Sequence, residues 1–141
     1  MVSKQLFNEE KIIVYTDGGA RSNPGPAAIG VVIGNKKYSE FIGVGTNNEA
    51  EYKAVILALK KLRHLIGKKG IESQEIEIRM DSELVQKQLS GEYKIKEKDL
   101  QLLFVEIWNL RLDFKNLSFV HIPREQNRLA DKLVNEALDA N

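Results

Sequence analysis

Short apolar runs, separated by glycine, proline and asparagine, divide the first third of the chain into strands. The run KIIVYTDGG is apolar and β-branched until Asp-Gly-Gly stops it, which predicts a buried strand over residues 11–16. Two further runs, AAIGVVIG and KKYSEFIGVG, meet at Gly34 and Asn35, a pair typical of a hairpin turn. We therefore expect these three strands to form an antiparallel meander.

The spacing of apolar residues becomes helical after Thr46. The segment TNNEAEYKAVILALKKLRHLIG begins with a cap-like Thr-Asn-Asn and repeats apolar residues every three or four positions until Gly67. The next run, EIEIRM, alternates as a strand that ends at Asp81, and Ser82 opens a short helix that stops at Gly91. The order of a strand followed by a helix is thus repeated.

The remaining residues predict a helix, a strand and a terminal helix. These are KEKDLQLLFVEIWNLRLDF, LSFVHI and PREQNRLADKLVNEALDA, with Pro123 just before the start of the last. The element order βββαβααβα is typical of an α/β protein in which helices cover a mixed sheet.

Composition narrows the class of protein without indicating an activity. The length of 141 residues suits a single domain spanning residues 1–141. No apolar run is long enough to cross a bilayer, and the first eleven residues lack the pattern of a secretory signal, so we expect a cytoplasmic protein with no membrane partner. Without cysteine there is no thiolate zinc site, so any metal should be hard and bound by oxygen. A net charge of +1 does not by itself mark a nucleic-acid binder.

Two aspartates follow predicted strands. Asp17 and Asp81 each lie at the carboxyl end of a run that reads as a strand, and in open α/β sheets such ends line ligand sites. Taken singly, each is better explained as a turn or cap residue. Taken together, they favour a site at one edge of the sheet.

A glutamate on the first helix is directed inward. Glu51 lies four residues before Val55 and eleven before Leu62, on the apolar face of the helix, whereas Glu49 points to the opposite side. A carboxylate aimed at the edge of a core is costly unless a cation or hydrogen-bond donors meet it. The helix dipole would also favour an acid in the first turn, but it does not explain the inward direction.

The last helix carries Asp131 beside its apolar stripe, one turn after Asn127. Charged residues at the edge of an apolar stripe are routine, so the spacing alone favours an ordinary surface acid.

Four stretches of the chain resemble the type 1 ribonucleases H. They are YTDGGARSNPGPAAIG, TNNEAE, MDSELV and PREQNRLAD, in the order and spacing of that family. The likeness extends from about Lys11 to the terminal helix and implies that Asp17, Glu51, Asp81 and Asp131 are the catalytic acids. It also implies a ribonuclease H-like α/β fold, with a five-stranded mixed sheet of order 3-2-1-4-5 flanked by helices.

The implied activity is hydrolysis of the RNA strand of RNA/DNA hybrids by an endonuclease, leaving 5′-phosphate and 3′-hydroxyl ends. Two divalent ions held about 3.5–4 Å apart can support such chemistry. Mg²⁺ suits an all-carboxylate site, with Mn²⁺ as a substitute. In the family arrangement Asp17 would bridge both ions, Glu51 and Asp81 would bind one, and Asp131 the other.

The resemblance also implies contacts to both strands of the hybrid, made by small and amide residues next to the acids. Such groups suit the 2′-hydroxyl, which both donates and accepts hydrogen bonds. Local structure explains them equally well, because an asparagine before proline suits a turn and Thr-Asn-Asn caps a helix. The implied contacts are Gly18, Gly19, Asn47 and Asn48 to RNA sugars, and Asn23 and Thr46 to the DNA strand.

The chain departs from the best-known family members in two places. The basic helical protrusion that grips the hybrid is replaced by GEYKIKEKD, whose lysines are better explained as a solvated loop of mixed charge. The glycine-rich loop with a mobile histidine is replaced by HIPREQN. His121 and Arg124 are therefore candidate auxiliary residues, although a packed histidine at a strand end and an exposed arginine at a helix start explain them as well.

Two further patterns have ordinary structural explanations. A basic tract at Lys60, Lys61, Arg63, Lys68 and Lys69 is more typical of a solvated helix face than of a phosphate track. Two aromatic residues one turn apart, Phe104 and Trp108, favour packing over base stacking.

The hypothesis from sequence is a monomeric ribonuclease H whose partner is an RNA/DNA hybrid. The alternatives are a catalytically silent hybrid-binding module, a related nuclease acting on duplex RNA or DNA recombination intermediates, and a domain detached from a reverse transcriptase.

Overall fold

A five-stranded sheet with helices on both faces forms the centre of the molecule, in a computed structural model that describes residues 11–141. The strands are β1 (Ile12–Ala20), β2 (Gly25–Ile33), β3 (Lys36–Gly45), β4 (Glu75–Met80) and β5 (Asn116–His121). The helices are α1 (Asn47–Ser73), α2 (Glu83–Leu89), α3 (Lys98–Arg111) and α4 (Arg128–Asp139), with one 3₁₀ turn at Arg124–Gln126.

The sheet has the order β3-β2-β1-β4-β5, as predicted. Strands β1, β2 and β3 are antiparallel neighbours, whereas β4 pairs with β1 and β5 with β4 in parallel. Within residues 11–141, no helix has both the length and the apolar character needed to span a membrane. The expectation about a secretory signal concerns the first eleven residues, and residues 1–10 lie outside the described part of the chain.

Strand β1 is longer than the sequence pattern predicts. Its parallel pairing with β4 ends at Tyr15, but its antiparallel pairing with β2 continues to Ala20. The prediction that Asp17 ends the strand is therefore wrong, because β2 supports the polar Asp-Gly-Gly segment as a strand. Asp17 nevertheless lies beyond the last residue that pairs with β4, where the two strands diverge.

Strand β2 is buried on both faces, which explains its unbroken apolar sequence. Ala27, Ile29, Val31 and Ile33 belong to the core beneath α1, while the alternate residues Ala28 and Val32 pack with residues of α4. Because side chains alternate along a strand, α1 and α4 cover opposite faces of the sheet.

Helix α1 begins as predicted, with Thr46 and Glu49 forming a reciprocal capping box. Glu49, expected in solvent, is half-buried, and its side chain accepts a hydrogen bond from the Thr46 amide. The helix was predicted to end at Gly67. Gly67 does leave helical geometry, with φ of 71°, but helical turns resume and continue to Ser73.

Helix α4 starts later than predicted. The residues after Pro123 form a 3₁₀ turn, and α4 begins at Arg128. Leu129, expected in the apolar stripe, is 40% exposed. The packing face instead consists of Ala130, Leu133, Val134, Ala137 and Leu138.

Candidate active site

Three separate elements bring three carboxylates together. Asp17 comes from β1, Glu51 from the second turn of α1, and Asp81 from the residue after β4. One carboxylate oxygen of each lies within 4.8 Å of the others. The inward direction predicted for Glu51 and the pairing predicted for the two aspartates are both confirmed.

Gly18 allows β1 and α1 to approach each other closely. A Cβ atom there would lie 2.3 Å from the carbonyl carbon of Ala50 and 2.6 Å from the nitrogen of Glu51. Any side chain would therefore push the helix away from the strand. Because Gly18 follows Asp17 directly and meets the backbone at Glu51, this contact fixes how close the two carboxylates are.

A second close contact brings Asp131 to the same place. Gly30 pairs with Asp17 in the β1–β2 ladder. A Cβ atom on Gly30 would lie 2.5 Å from the carbonyl oxygen of Ala130, so the backbone of α4 packs directly on this point of the sheet. The next residue, Asp131, is exposed and close enough to raise the pKa of Asp17. All four predicted acids therefore line one cleft.

Asn127, the residue before α4, fixes the position of Asp81 by a hydrogen bond. Its side chain is 1% exposed, and its Nδ2 donates to the carbonyl oxygen of Thr16 and to Oδ2 of Asp81, each at 2.9 Å. One amide thus joins β1, the start of α4 and the carboxylate that follows β4. The sequence pattern indicated only that Asn127 lies one turn before Asp131. The burial of this amide next to acidic residues indicates that it positions Asp81.

Burial and mutual repulsion disfavour the ionised form of Asp17. Burial is the largest cause and raises the pKa of Asp17 to about 8, with further increases from the charges of Asp81 and Asp131. A hydrogen bond from the backbone of Gly18 offsets part of this.

Glu51 is affected in the same way. Burial raises the pKa of Glu51 to about 8, and the charges of Asp17 and Asp81 add to the effect. The Ser82 side chain, which also caps α2 by accepting from the Val85 amide at 3.2 Å, opposes the increase by hydrogen bonding to Glu51. Buried carboxylates that repel one another form a site whose charge a divalent cation would compensate.

The acids lie in a cleft of about 420 Å³. Two arginines, Arg21 and Arg124, face it. The positive charge of Arg124 offsets part of the rise in the pKa of Glu51. The cleft is lined by Asp17, Gly18, Gly19, Ala20, Arg21, Asn47, Glu51, Asp81, Ser82, Arg124, Asp131, Val134, Asn135 and Leu138.

The predicted substrate contacts divide between two neighbouring depressions. Gly18, Gly19 and Asn47 line the acidic cleft, whereas Asn23, Thr46 and Asn48 line a smaller pocket of about 220 Å³. Several of them have structural partners. The Asn23 side chain accepts a hydrogen bond from the Asn47 amide at 2.9 Å, and Thr46 caps α1.

The two auxiliary candidates differ in position. His121 ends β5, as predicted, but it is exposed rather than packed, and it does not line the acidic cleft among the described residues. Arg124 lies in the 3₁₀ turn, is exposed and lines the cleft.

Three residues of the basic tract on α1 contact neighbouring side chains. Lys60 pairs with Glu106 at 3.4 Å and Arg63 with Asp113 at 2.9 Å, while Lys61 lies 4.8 Å from the ring centre of Tyr38. These contacts fit the explanation as a solvated helix face.

The aromatic pair on α3 lies at the surface edge of the core. The rings of Phe104 and Trp108 stack at 6.3 Å between centroids, and Trp108 is 46% exposed. This contact fits the explanation as edge packing.

Known proteins share both this fold and much of this sequence. A family model described as reverse transcriptase-like matches residues 15–137. An RNase H1 isolated from compost by a metagenomic approach is 52% identical, with a TM-score of 0.87 over 92% of this chain and 96% of its own. The chain belongs to the type 1 ribonuclease H family.

Other ribonuclease H relatives extend the comparison. The RNase H1 of the halophilic archaeon Halobacterium salinarum is 40% identical, with a TM-score of 0.83 over 94% of this chain and all of its own. A bifunctional protein of Mycobacterium tuberculosis is 37% identical over 92% of this chain, which spans only 36% of that protein's length. The compost RNase H1 has also been solved in complex with an RNA/DNA hybrid. The predicted family, its enzyme class and the fold are confirmed.

Proposed function

We propose that this ribonuclease H is an endonuclease that cuts the RNA strand of RNA/DNA hybrids and leaves 5′-phosphate and 3′-hydroxyl ends. The observation that carries the proposal is the convergence of Asp17, Glu51 and Asp81 within 4.8 Å. The compost relative's complex with a hybrid supports the substrate class. We further propose that residues 1–141 act as a single-domain monomer in the cytoplasm.

Asp17, Glu51, Asp81 and Asp131 would hold two Mg²⁺ ions, or Mn²⁺ in their place. The donor set fits, because these ions prefer oxygen ligands. Burial, together with repulsion between the acids, raises the pKa of Asp17 and of Glu51, and a bound cation would offset this penalty on the ionised forms. Bound ions would activate water and offset charge on the phosphate and the leaving oxygen. The need for paired ions rests on the family resemblance.

The remaining residues of the cleft would position the reactants. Asn127 and Ser82 hold Asp81 and Glu51 through hydrogen bonds, so both carboxylates keep fixed directions. Arg124 would reduce repulsion between the acids and an approaching phosphate. His121 ends β5 outside the lining of the cleft, and it would act only as an auxiliary residue. The contacts proposed to the hybrid are made by Gly18, Gly19, Asn23, Thr46, Asn47 and Asn48.

The proposal is tested by incubating the unmutated protein and Asp17→Asn with labelled RNA/DNA, RNA/RNA and DNA/DNA duplexes of equal length. We expect the unmutated protein with Mg²⁺ to cut only the RNA strand of the hybrid, and Asp17→Asn to be at least about a hundredfold slower. Ligase should join the 5′-phosphate of the products to the 3′-hydroxyl of an acceptor oligonucleotide without prior kinase treatment.

The alternatives give different results. A silent binding module would leave the hybrid intact and bind it equally with or without Mg²⁺. A nuclease of the duplex-RNA or recombination type would cut RNA/RNA or a branched DNA substrate faster than the hybrid. Mg²⁺ and Mn²⁺ are compared at equal concentration in the same assay.

A further inference from the structure

An arginine outside the predicted set faces the acidic cleft from the turn after β1. Arg21 lines the same cleft as Asp17 and Asp131. Its side chain is 47% exposed, and one guanidinium nitrogen lies 2.5 Å from Oδ1 of Asp139. Among the described residues, Arg21 and Arg124 are the arginines that line this cleft.

The backbone around Arg21 is anchored on both sides. The Ala20 amide donates to Oδ1 of Asn47 at 2.8 Å, and the Arg21 amide donates to the carbonyl oxygen of Pro26 at 2.9 Å. The Asn23 side chain accepts from the Asn47 amide at 2.9 Å. The guanidinium therefore extends from a fixed backbone, which lowers the entropy lost when it binds a ligand.

The pairing with Asp139 is weak enough to be exchanged. Asp139 is the last residue of α4, where the helix dipole disfavours an acid, and the last turn has no basic residue to offset it. Both partners are exposed, with side chains 47% and 69% accessible. Such a surface pair is worth less than about 1 kcal/mol. A phosphate offers the same guanidinium a charge-assisted, bidentate contact.

We propose that Arg21 binds a backbone phosphate of the hybrid away from the scissile one, and that Asp139 occupies the guanidinium until the substrate displaces it. This inference rests on the proposed function of the acidic cleft. Asp17 and Arg21 are four residues apart in extended chain, which is roughly 13 Å. The contact should therefore strengthen binding without taking part in the chemical step. If Arg21 only tied the turn to α4, its loss would lower stability and leave binding unchanged.

Binding is measured by fluorescence anisotropy of a labelled RNA/DNA hybrid with Mg²⁺, in the Asp17→Asn background to prevent cleavage. We expect Arg21→Gln to raise Kd about 3–10-fold and to reduce the slope of log K against log salt by about 0.7–0.9, as for one lost phosphate contact. Arg21→Lys should keep the slope and lose only part of the affinity.

A matched control removes an equal charge elsewhere. Arg63 pairs with Asp113 at 2.9 Å, both partners are about half exposed, and Arg63 lies twelve residues beyond Glu51 on α1, roughly 18 Å away. Arg63→Gln should leave Kd and the salt slope unchanged. An equal loss of affinity in both variants would overturn the assignment, because overall charge would then explain it.

The masking role of Asp139 is tested by a double-mutant cycle. Asp139→Asn should tighten binding about 2–5-fold when Arg21 is present, which corresponds to the cost of breaking a surface pair. It should have no effect in the Arg21→Gln background. Equal tightening in both backgrounds would refute the exchange, since removal of any nearby acid would then account for it.

The kinetics of Arg21→Gln, measured in an enzyme that keeps Asp17, separate this inference from the proposed function. We expect Arg21→Gln to raise KM several-fold with kcat unchanged. If the unmutated protein cuts the hybrid but Arg21→Gln changes neither KM nor Kd, the inference about Arg21 is wrong and the proposed function stands. If the unmutated protein cuts nothing, the proposed function is wrong, and the binding assays still decide the role of Arg21.

Discussion

Without divalent ions, the protein should lose stability as the pH rises through the neutral range. Asp17 and Glu51 each have a pKa of about 8 in the folded protein, against ordinary values of 3.8 and 4.5. Between pH 4 and 8 the folded state therefore binds more protons than the unfolded state, and the free energy of unfolding falls as the pH rises. The stabilising effect of protonation is complete below about pH 4 and is lost as the pH passes 8.

The size of the effect can be bounded from the structure. The pKa of Asp17 rises from 3.8 to about 8. At about 1.36 kcal/mol for each pH unit, this rise limits the change in the free energy of unfolding to a value on the order of 5 kcal/mol. Relaxation and water entry reduce such penalties, and the acids share the repulsion. We therefore expect Asp17→Asn to be about 1–3 kcal/mol more stable than the unmutated protein at pH 8.5, and nearly equal to it at pH 4.

The assay is urea unfolding followed by circular dichroism in EDTA at several pH values from 4 to 8.5. The difference between the two proteins reports Asp17 together with its coupling to Glu51, because the charge of Asp17 also raises the pKa of Glu51. Adding Mg²⁺ at pH 8.5 should reduce or reverse the difference, since the cation compensates the repulsion only where all acids are present. A pH-independent difference, or a less stable Asp17→Asn in EDTA, would refute the reasoning.

Two further substitutions test how the site is held together, and a third tests a charged pair within the sheet. Gly18→Ala should lower the free energy of unfolding by about 1–3 kcal/mol and lower kcat, because its Cβ would meet the α1 backbone; unchanged melting and activity would contradict the close contact. Asn127→Leu removes both donors to Thr16 and Asp81, and should raise the Mg²⁺ concentration needed for half-maximal cleavage about 10–100-fold; a stability loss with unchanged Mg²⁺ dependence would indicate packing alone. The pKa of Glu77 is lowered chiefly by its hydrogen bond from the Arg79 side chain. The ionised form of Glu77 therefore stabilises the fold at pH values above its ordinary pKa, and this contribution decreases as the pH falls. Glu77→Gln should therefore cost about 1–3 kcal/mol at pH 7 and less at pH 3, with cleavage retained at 25 °C.

The sequence predicts those parts of the site that depend on local geometry. Helical spacing separates Glu51 from Glu49, because the apolar residues of α1 define an inward face. The expected strand ends place Asp17 and Asp81 at one edge, and this is correct even though β1 continues to Ala20, because its parallel pairing with β4 ends at Tyr15. The sheet order followed from the family resemblance.

The remaining features depend on contacts between distant segments. Asp131 reaches the site because the backbone at Ala130 packs on Gly30, a contact across about a hundred residues that periodicity does not contain. The length of β1 is set by pairing with β2, so its own polar residues mislead. The bonds of Asn127 and the pairing of Arg21 with Asp139 likewise require the folded chain.

Glutamates two residues apart on α1 provide the most direct test of the central claim that the converging carboxylates perform the cleavage. Glu51→Gln and Glu49→Gln make the same substitution in the same helix, and glutamine can still complete the capping box at position 49. With Mg²⁺ and a labelled RNA/DNA hybrid, we predict that Glu49→Gln cuts the RNA strand at close to the unmutated rate while Glu51→Gln is at least about a hundredfold slower. Equal rates for the two variants would contradict the claim.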